Sequence, residues 1–330
     1  MRRAHEQSSM TFRERMTTSL RRTVSDGGAI ESPLLNSSSN DSASELRYFA
    51  KHCITAHAGI VWAVATDFTD FYSGGDDHAI RVFDQETLVA KPSLVGHTGT
   101  IESLVADGSS VYSASRDGFA RVWRNSEAVA ILDHDKFPVK ALAICNGKLY
   151  TAADKTIRVW DLATGTQVGA LEGHKDIVLA LATDDLQQNI YSGSRDNLAM
   201  VWDERTGRLV QTLKGHLRSV RCIASDNRLL FSGSWDYSIK AWDARKGDCV
   251  ATLTGHSRTV YALTASQSCL YSAGEDYSVK IWNTRVLGQC SQTLSAHKDW
   301  VVSVCLGIRN RIYSGSADSS VWVWEQKHDS

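Results

Sequence analysis

The chain has 330 residues, 42% apolar and 22% charged, with a formal net charge of −1. This is enough apolar mass for a substantial core, and the charge balance supplies no overall attraction to nucleic acid or an acidic membrane, leaving only local basic patches for such roles. Seven cysteines (Cys53, Cys145, Cys222, Cys249, Cys269, Cys290 and Cys305) are scattered and never form a Cys-x-x-Cys pair, which argues against a disulfide framework or a zinc site.

Residues 1–44 are rich in Ser, Thr and Arg and poor in large apolar groups, so a disordered tail is expected there. Within it Phe12, Met16, Leu20 and Val24 recur every four residues beside Arg13, Arg15, Arg21 and Arg22, the pattern of a short basic amphipathic helix for a partner, a membrane surface or a mitochondrial presequence. Glu6 and Glu14 weigh against the presequence. Arg22 lies three residues before Ser25, a spacing that suits a basophilic kinase. No secretory signal opens the chain, and no apolar run approaches the ~18 residues that span a bilayer. The expected setting is therefore a reducing cytoplasm, with the nucleus as the alternative.

After a β-forming stretch at Arg47–Thr55, one pattern repeats to residue 325. A histidine returns at His57, His97, His134, His174, His216, His256 and His297, at intervals of 37 to 42 residues. An aromatic follows each by 26 to 28 residues, at Phe83, Trp123, Trp160, Trp202, Trp242, Trp282 and Trp324. Such a period signals a repeat architecture. Each unit reads as four short strands split by Gly, Asp and Asn turns; in the fifth they are Val220–Ala224, Leu229–Ser232, Ser238–Asp243 and Asp248–Leu253. Between residues 45 and 325 no window sustains a helical period.

The segments KGH…FSGSWDYSIKAWD, EGHKDIV…YSGSRDNLAMVWD and TGHSRTV…YSAGEDYSVKIWN resemble the Trp-Asp (WD) repeat propellers. The resemblance implies an all-β, seven-bladed β-propeller over residues 45–325, flanked by tails at 1–44 and 326–330. The seventh unit stops at Trp324-Glu325, before a fourth strand, and Arg47–Thr55 is the strand that would complete it, closing the ring and covering the open sheet edges.

Each unit also holds a Ser-His-Asp set that imitates a hydrolase triad. Seven equivalent copies do not suit a nucleophile, which needs one exposed site with an oxyanion hole. The resemblance implies instead a buried relay in each blade. Its members are His97, Ser113, Asp117 and Trp123; His134, Thr151, Asp154 and Trp160; His174, Ser192, Asp196 and Trp202; His216, Ser232, Asp236 and Trp242; His256, Ser272, Asp276 and Trp282; and His297, Ser314, Asp318 and Trp324. Phe83 breaks the pattern in the first unit, an insertion near Phe137-Pro138 and one residue fewer before Asp154 disturb the third, and Asp184–Asn189 lengthens a turn in the fourth.

The resemblance further implies that three positions per unit face partners around the central channel. Among these, Trp62, Trp235, Tyr261 and Trp300 make an aromatic crescent, and Arg116, Lys140, Arg195 and Arg221 a basic arc. A non-catalytic scaffold binding proteins or peptides is therefore expected, a monomeric propeller within a larger complex, with no cofactor and no metal. YSASRD and YSGSRD look like the propellers of F-box-type ubiquitin-ligase receptors, which implies Arg116 and Arg195 as readers of phosphorylated peptides. Residues 1–44 show no F-box. A lipid- or nucleic-acid-binding propeller using the basic arc is the alternative from another class, nucleic acid being the less expected partner.

Overall fold

The protein is described from a computed structural model over residues 47–327, apart from residues 109, 185–187 and 267. The expectations for residues 1–44 lie outside the described residues, as do the end of the C-terminal tail and the middle of the long fourth-unit turn. The described chain forms seven four-stranded antiparallel sheets, six of them each from one continuous stretch of chain, making a seven-bladed β-propeller.

Blade 5 shows how the sequence builds one sheet. Its strands are Val220–Ser225, Leu230–Ser234, Ile239–Asp243 and Asp248–Leu253, ordered from the channel outwards. The second strand is buried along its whole length, whereas the outermost exposes four of its six residues. Flanked by neighbours on both faces, the second strand accepts only small residues where the next blade presses closest. A Cβ at Gly233 would stand 2.6 Å from the Cys222 sulfur and 2.8 Å from Val260 of blade 6. The Ser-Gly-Ser and Ser-Ala-Ser spellings of these strands are therefore packing requirements. The apolar clusters straddle adjacent blades; one joins Tyr191 and Val201 of blade 4 to Ile223, Leu230 and Trp242 of blade 5.

The ring closes with chain from its far end. Tyr48–Ile54 pairs antiparallel with Val321–Gln326 and completes blade 7. Blade 6 clamps this strand: the Gln292 amide accepts from the Tyr48 N–H at 2.8 Å and donates to its carbonyl at 2.7 Å. Because strands alternate in direction, the histidine loops and the turns between second and third strands share one face of the propeller. That loop face carries the sequence-predicted positions.

Candidate functional site

The relays occupy the seat of each loop. In blade 5 the Trp242 indole N–H donates to the Ser232 hydroxyl at 2.8 Å, Ser232 meets His216 Nε2 at 2.8 Å, and His216 Nδ1 meets Asp236 at 2.8 Å. An indole only donates and a carboxylate only accepts, so with a neutral imidazole every proton in the chain points from tryptophan towards aspartate. The same three links recur in blades 2, 4, 6 and 7. Asp236 also accepts the N–H of Leu217 after the histidine and that of Ser238 in its own turn, so one carboxylate ties two loops together. Burial opposes its charge, but the hydrogen bonds from His216, Ser238 and Leu217 outweigh burial and hold the carboxyl well below its ordinary range. The relay hydroxyls Ser113, Thr151, Ser192, Ser232, Ser272 and Ser314 are fully buried. A serine spent on this network and sealed from solvent offers no nucleophile.

Blades 1 and 3 depart from the scheme. In blade 1, Phe83 stacks on Phe71 with ring centres 4.7 Å apart, and Phe71 stacks in turn on Tyr313 of blade 7 at 4.5 Å, so aromatic packing replaces the indole bond. In blade 3 the expected Asp154 link is absent. Ala153 pairs directly with Thr156, leaving a two-residue turn with Asp154 in the left-handed region at φ 51°. One residue shorter than its counterparts, the turn does not carry the carboxylate to His134. The ring donates instead from Nδ1 to the Leu132 carbonyl at 3.0 Å, while Thr151 and Trp160 keep their places. Without an anionic partner, burial pushes His134 down to about 4.

The residue five places after each histidine, or six in the shifted third unit, converges on the channel. Trp62, Glu102, Lys140, Leu179, Arg221, Tyr261 and Val302 contribute one residue per blade to its lining, around a cavity of about 150 Å³. Small-molecule pockets usually span ~300–1,000 Å³, so the channel suits a few waters or one inserted side chain rather than a nucleotide-sized cofactor. Among the described residues no cluster of three or more His, Cys, Asp or Glu is arranged to hold a metal ion.

The WD domain, G-beta repeat family (WD40) matches seven consecutive stretches, from 50–84 through to 288–325, one for each blade. The chain belongs to the WD-repeat family. Propellers of this family typically bind other proteins. A curated relative, the nuclear distribution protein nudF of Aspergillus niger, is 25% identical over 182 residues, 51% of this chain and 41% of that protein. The match thus spans about two fifths of the relative's length.

On this WD-repeat propeller the predicted basic arc is largely paired within the molecule. Arg116 and Lys140 both contact Glu102, the latter at 2.7 Å, and Arg195 bonds Asp176 at 3.0 Å. Burial opposes the Glu102 charge, but the charge and hydrogen bond of Lys140, the bond from Arg116 and the nearby charge of Arg221 pull its pKa below the usual value. Arg116 also lies over Trp62, 5.6 Å from the ring centre, and Arg221 over Tyr261 at 5.7 Å. The crescent is partly internal as well: Trp62 donates to Asp76 at 2.9 Å, and Tyr261 stacks on Trp300 at 6.1 Å. Trp235 is different, with 40% of its surface exposed.

The same loop face exposes residues that the sequence reading passed over. Leu217 is 84% exposed, and Tyr237 and Tyr277 are 44% and 45% exposed. Both tyrosines hold left-handed backbone, at φ 73° and 66°, in the turn position that Gly118 and Asn197 fill in blades 2 and 4. The signal was legible as Asp-Tyr where blades 2 and 4 spell Asp-Gly and Asp-Asn; blades 1 and 7 place His78 and Ser319 in the same left-handed position.

Proposed function

We propose that this propeller is a non-catalytic scaffold that docks a protein segment on the loop face of blades 5 and 6, across Leu217, Trp235, Tyr237 and Tyr277. The observation that carries this reading is the pair of exposed tyrosines in left-handed backbone. A bulky side chain there is strained relative to Gly or Asn, and strain retained at an exposed position points to use. Trp and Tyr also supply a large share of binding energy at protein interfaces. The Tyr261–Trp300 stack extends the aromatic surface towards the channel.

A second reading concerns the partner's charge. Arg116, Lys140 and Arg221 gather around the single carboxylate of Glu102, three cations to one anion in that cluster. This favours an anionic group on the docked segment, a phosphorylated side chain among them. A phosphopeptide-reading receptor for a ubiquitin ligase is the finer form of that reading. Pairing of the arc with Glu102 and Asp176 weighs against an extended lipid or nucleic-acid surface.

The test is quantitative affinity capture from a matched lysate. Wild type is compared with Trp235→Ala/Tyr237→Asn/Tyr277→Asn and with Arg221→Gln, with and without phosphatase treatment, and each variant is checked by thermal melt. Loss of specific partners in the folded triple variant supports the face. Retention of all of them refutes it. Phosphatase sensitivity shared with Arg221→Gln supports the anionic reading, and its absence removes that reading.

A further inference from the structure

A second opening lies far from the loop-face patch, in the seam between blades 3 and 4. It is a cleft of about 240 Å³ with an apolar floor of Val159, Val168, Leu171 and Ile190. Its polar wall is satisfied internally, since Glu204 accepts from Lys148 at 2.8 Å and from Tyr150 at 3.1 Å.

Four of the other six seams show how this space can be filled; in blades 1 and 7 the equivalent position holds Lys91 and His52. The deciding position sits on the outermost strand, opposite the residue before the blade's tryptophan. In blade 4 it is Gln211, opposite Val201, and in blade 6 it is Gln292, opposite Ile281. Both glutamines reach into the next blade: Gln211 donates to the Arg245 carbonyl at 3.4 Å, and Gln292 exchanges two hydrogen bonds with Tyr48. In blades 2 and 5 the position is alanine, and the following blade's turn brings a leucine, Leu162 or Leu287, into the same apolar cluster.

Blade 3 has neither device. Gly169 stands opposite Val159, and the facing turn of blade 4, Glu204-Arg205-Thr206-Gly207, brings no apolar side chain. Nothing local demands glycine there. Its backbone is outside the left-handed region, and an added Cβ would meet nothing closer than Val159 at 3.9 Å. The Arg205 carbonyl occupies the turn position of Arg245, the acceptor that Gln211 uses one seam further on.

We propose that the blade 3–4 seam is a binding site for a glutamine side chain of an extended partner peptide lying beside the outer strand Gln167–Glu172. The partner supplies what Gln211 and Gln292 supply internally, an aliphatic stem over the apolar floor and a carboxamide for the backbone of the next blade. The peptide's own backbone adds to the free edge of blade 3, a familiar mode of strand addition.

The experiment follows the methyl resonances of Val159, Val168, Leu171 and Ile190 in the full chain as capped pentapeptides are added. The probes are Thr-Val-Gln-Val-Thr and its counterpart with alanine in place of glutamine. The glutamine peptide is expected to shift these methyls, the alanine peptide to bind at least about tenfold more weakly, the loss expected for one methylene and a hydrogen bond. Gly169→Gln fills the cleft, is expected to melt no lower than wild type, and abolishes the shifts. Equal responses to both peptides, no response, or an unchanged response in folded Gly169→Gln overturn the site. Should that variant not fold, the comparison of the two peptides on wild type decides. Tyr237→Asn/Tyr277→Asn must bind the glutamine peptide like wild type; loss there would assign the binding to the loop face instead.

Discussion

The Ser232 hydroxyl accepts from Trp242 and serves His216, so removing it strands two buried polar groups at once. Ser232→Ala is expected to cost ~1–3 kcal/mol in urea unfolding, whereas Thr151→Ser in blade 3, which keeps the hydroxyl, should cost well under half of that. His134 gives the molecule a pH dependence. Its folded pKa, about 4, lies below the unfolded value of 6.5, so the unfolded chain binds the extra proton first. The stabilisation is therefore complete above pH 6.5 and lost as pH falls towards 4, a contribution of roughly 3 kcal/mol. Melting temperature should fall across that window, and His134→Gln should flatten the slope. The relay aspartates act lower, as with Asp276, held at about 2: its stabilisation is present above the unfolded value of 3.8 and lost as pH falls through 2. Tyr237→Asn should raise stability by about 0.5–1 kcal/mol by relieving left-handed strain, while weakening partner capture. A residue whose replacement improves the fold and harms binding is there for binding.

Strands and turns follow from alternating burial and turn chemistry, which is why the four-strand units were legible residue by residue. The shorter turn before Asp154 was legible too, but its consequence was not. Asp154 matches its counterparts by residue type, yet a turn one residue shorter takes it out of the relay, because position along a hairpin sets where a carboxylate lands. The closing strand makes a prediction at this level. Gln292→Ala removes both side-chain bonds to Tyr48 and should speed hydrogen exchange of the Tyr48–Ile54 amides while the other blades keep their protection. Global stability should drop by ~1–3 kcal/mol, since the strand also holds by its ladder to Val321–Gln326.

The ring is closed because its first strand and its last three make one sheet. A chain starting at Ala56 would leave Val321–Gln326 as a bare edge. It is expected to elute as concentration-dependent oligomers in size-exclusion chromatography, while the full chain elutes as a single species. Seven blades were readable from the sequence because a pattern of residue types repeats at near-fixed spacing; the closing strand followed from the strand missing at the chain's other end, and the relays from the family resemblance, Asp154 excepted. The pairing of the basic arc with Glu102 and Asp176, the exposure of Leu217, Tyr237 and Tyr277 on one face, and the cleft beside Gly169 were decided only by the tertiary structure. These are relations between blades, or between loops of one blade, and depend on which side chains meet across space; a repeat pattern gives the blades but not what passes between them.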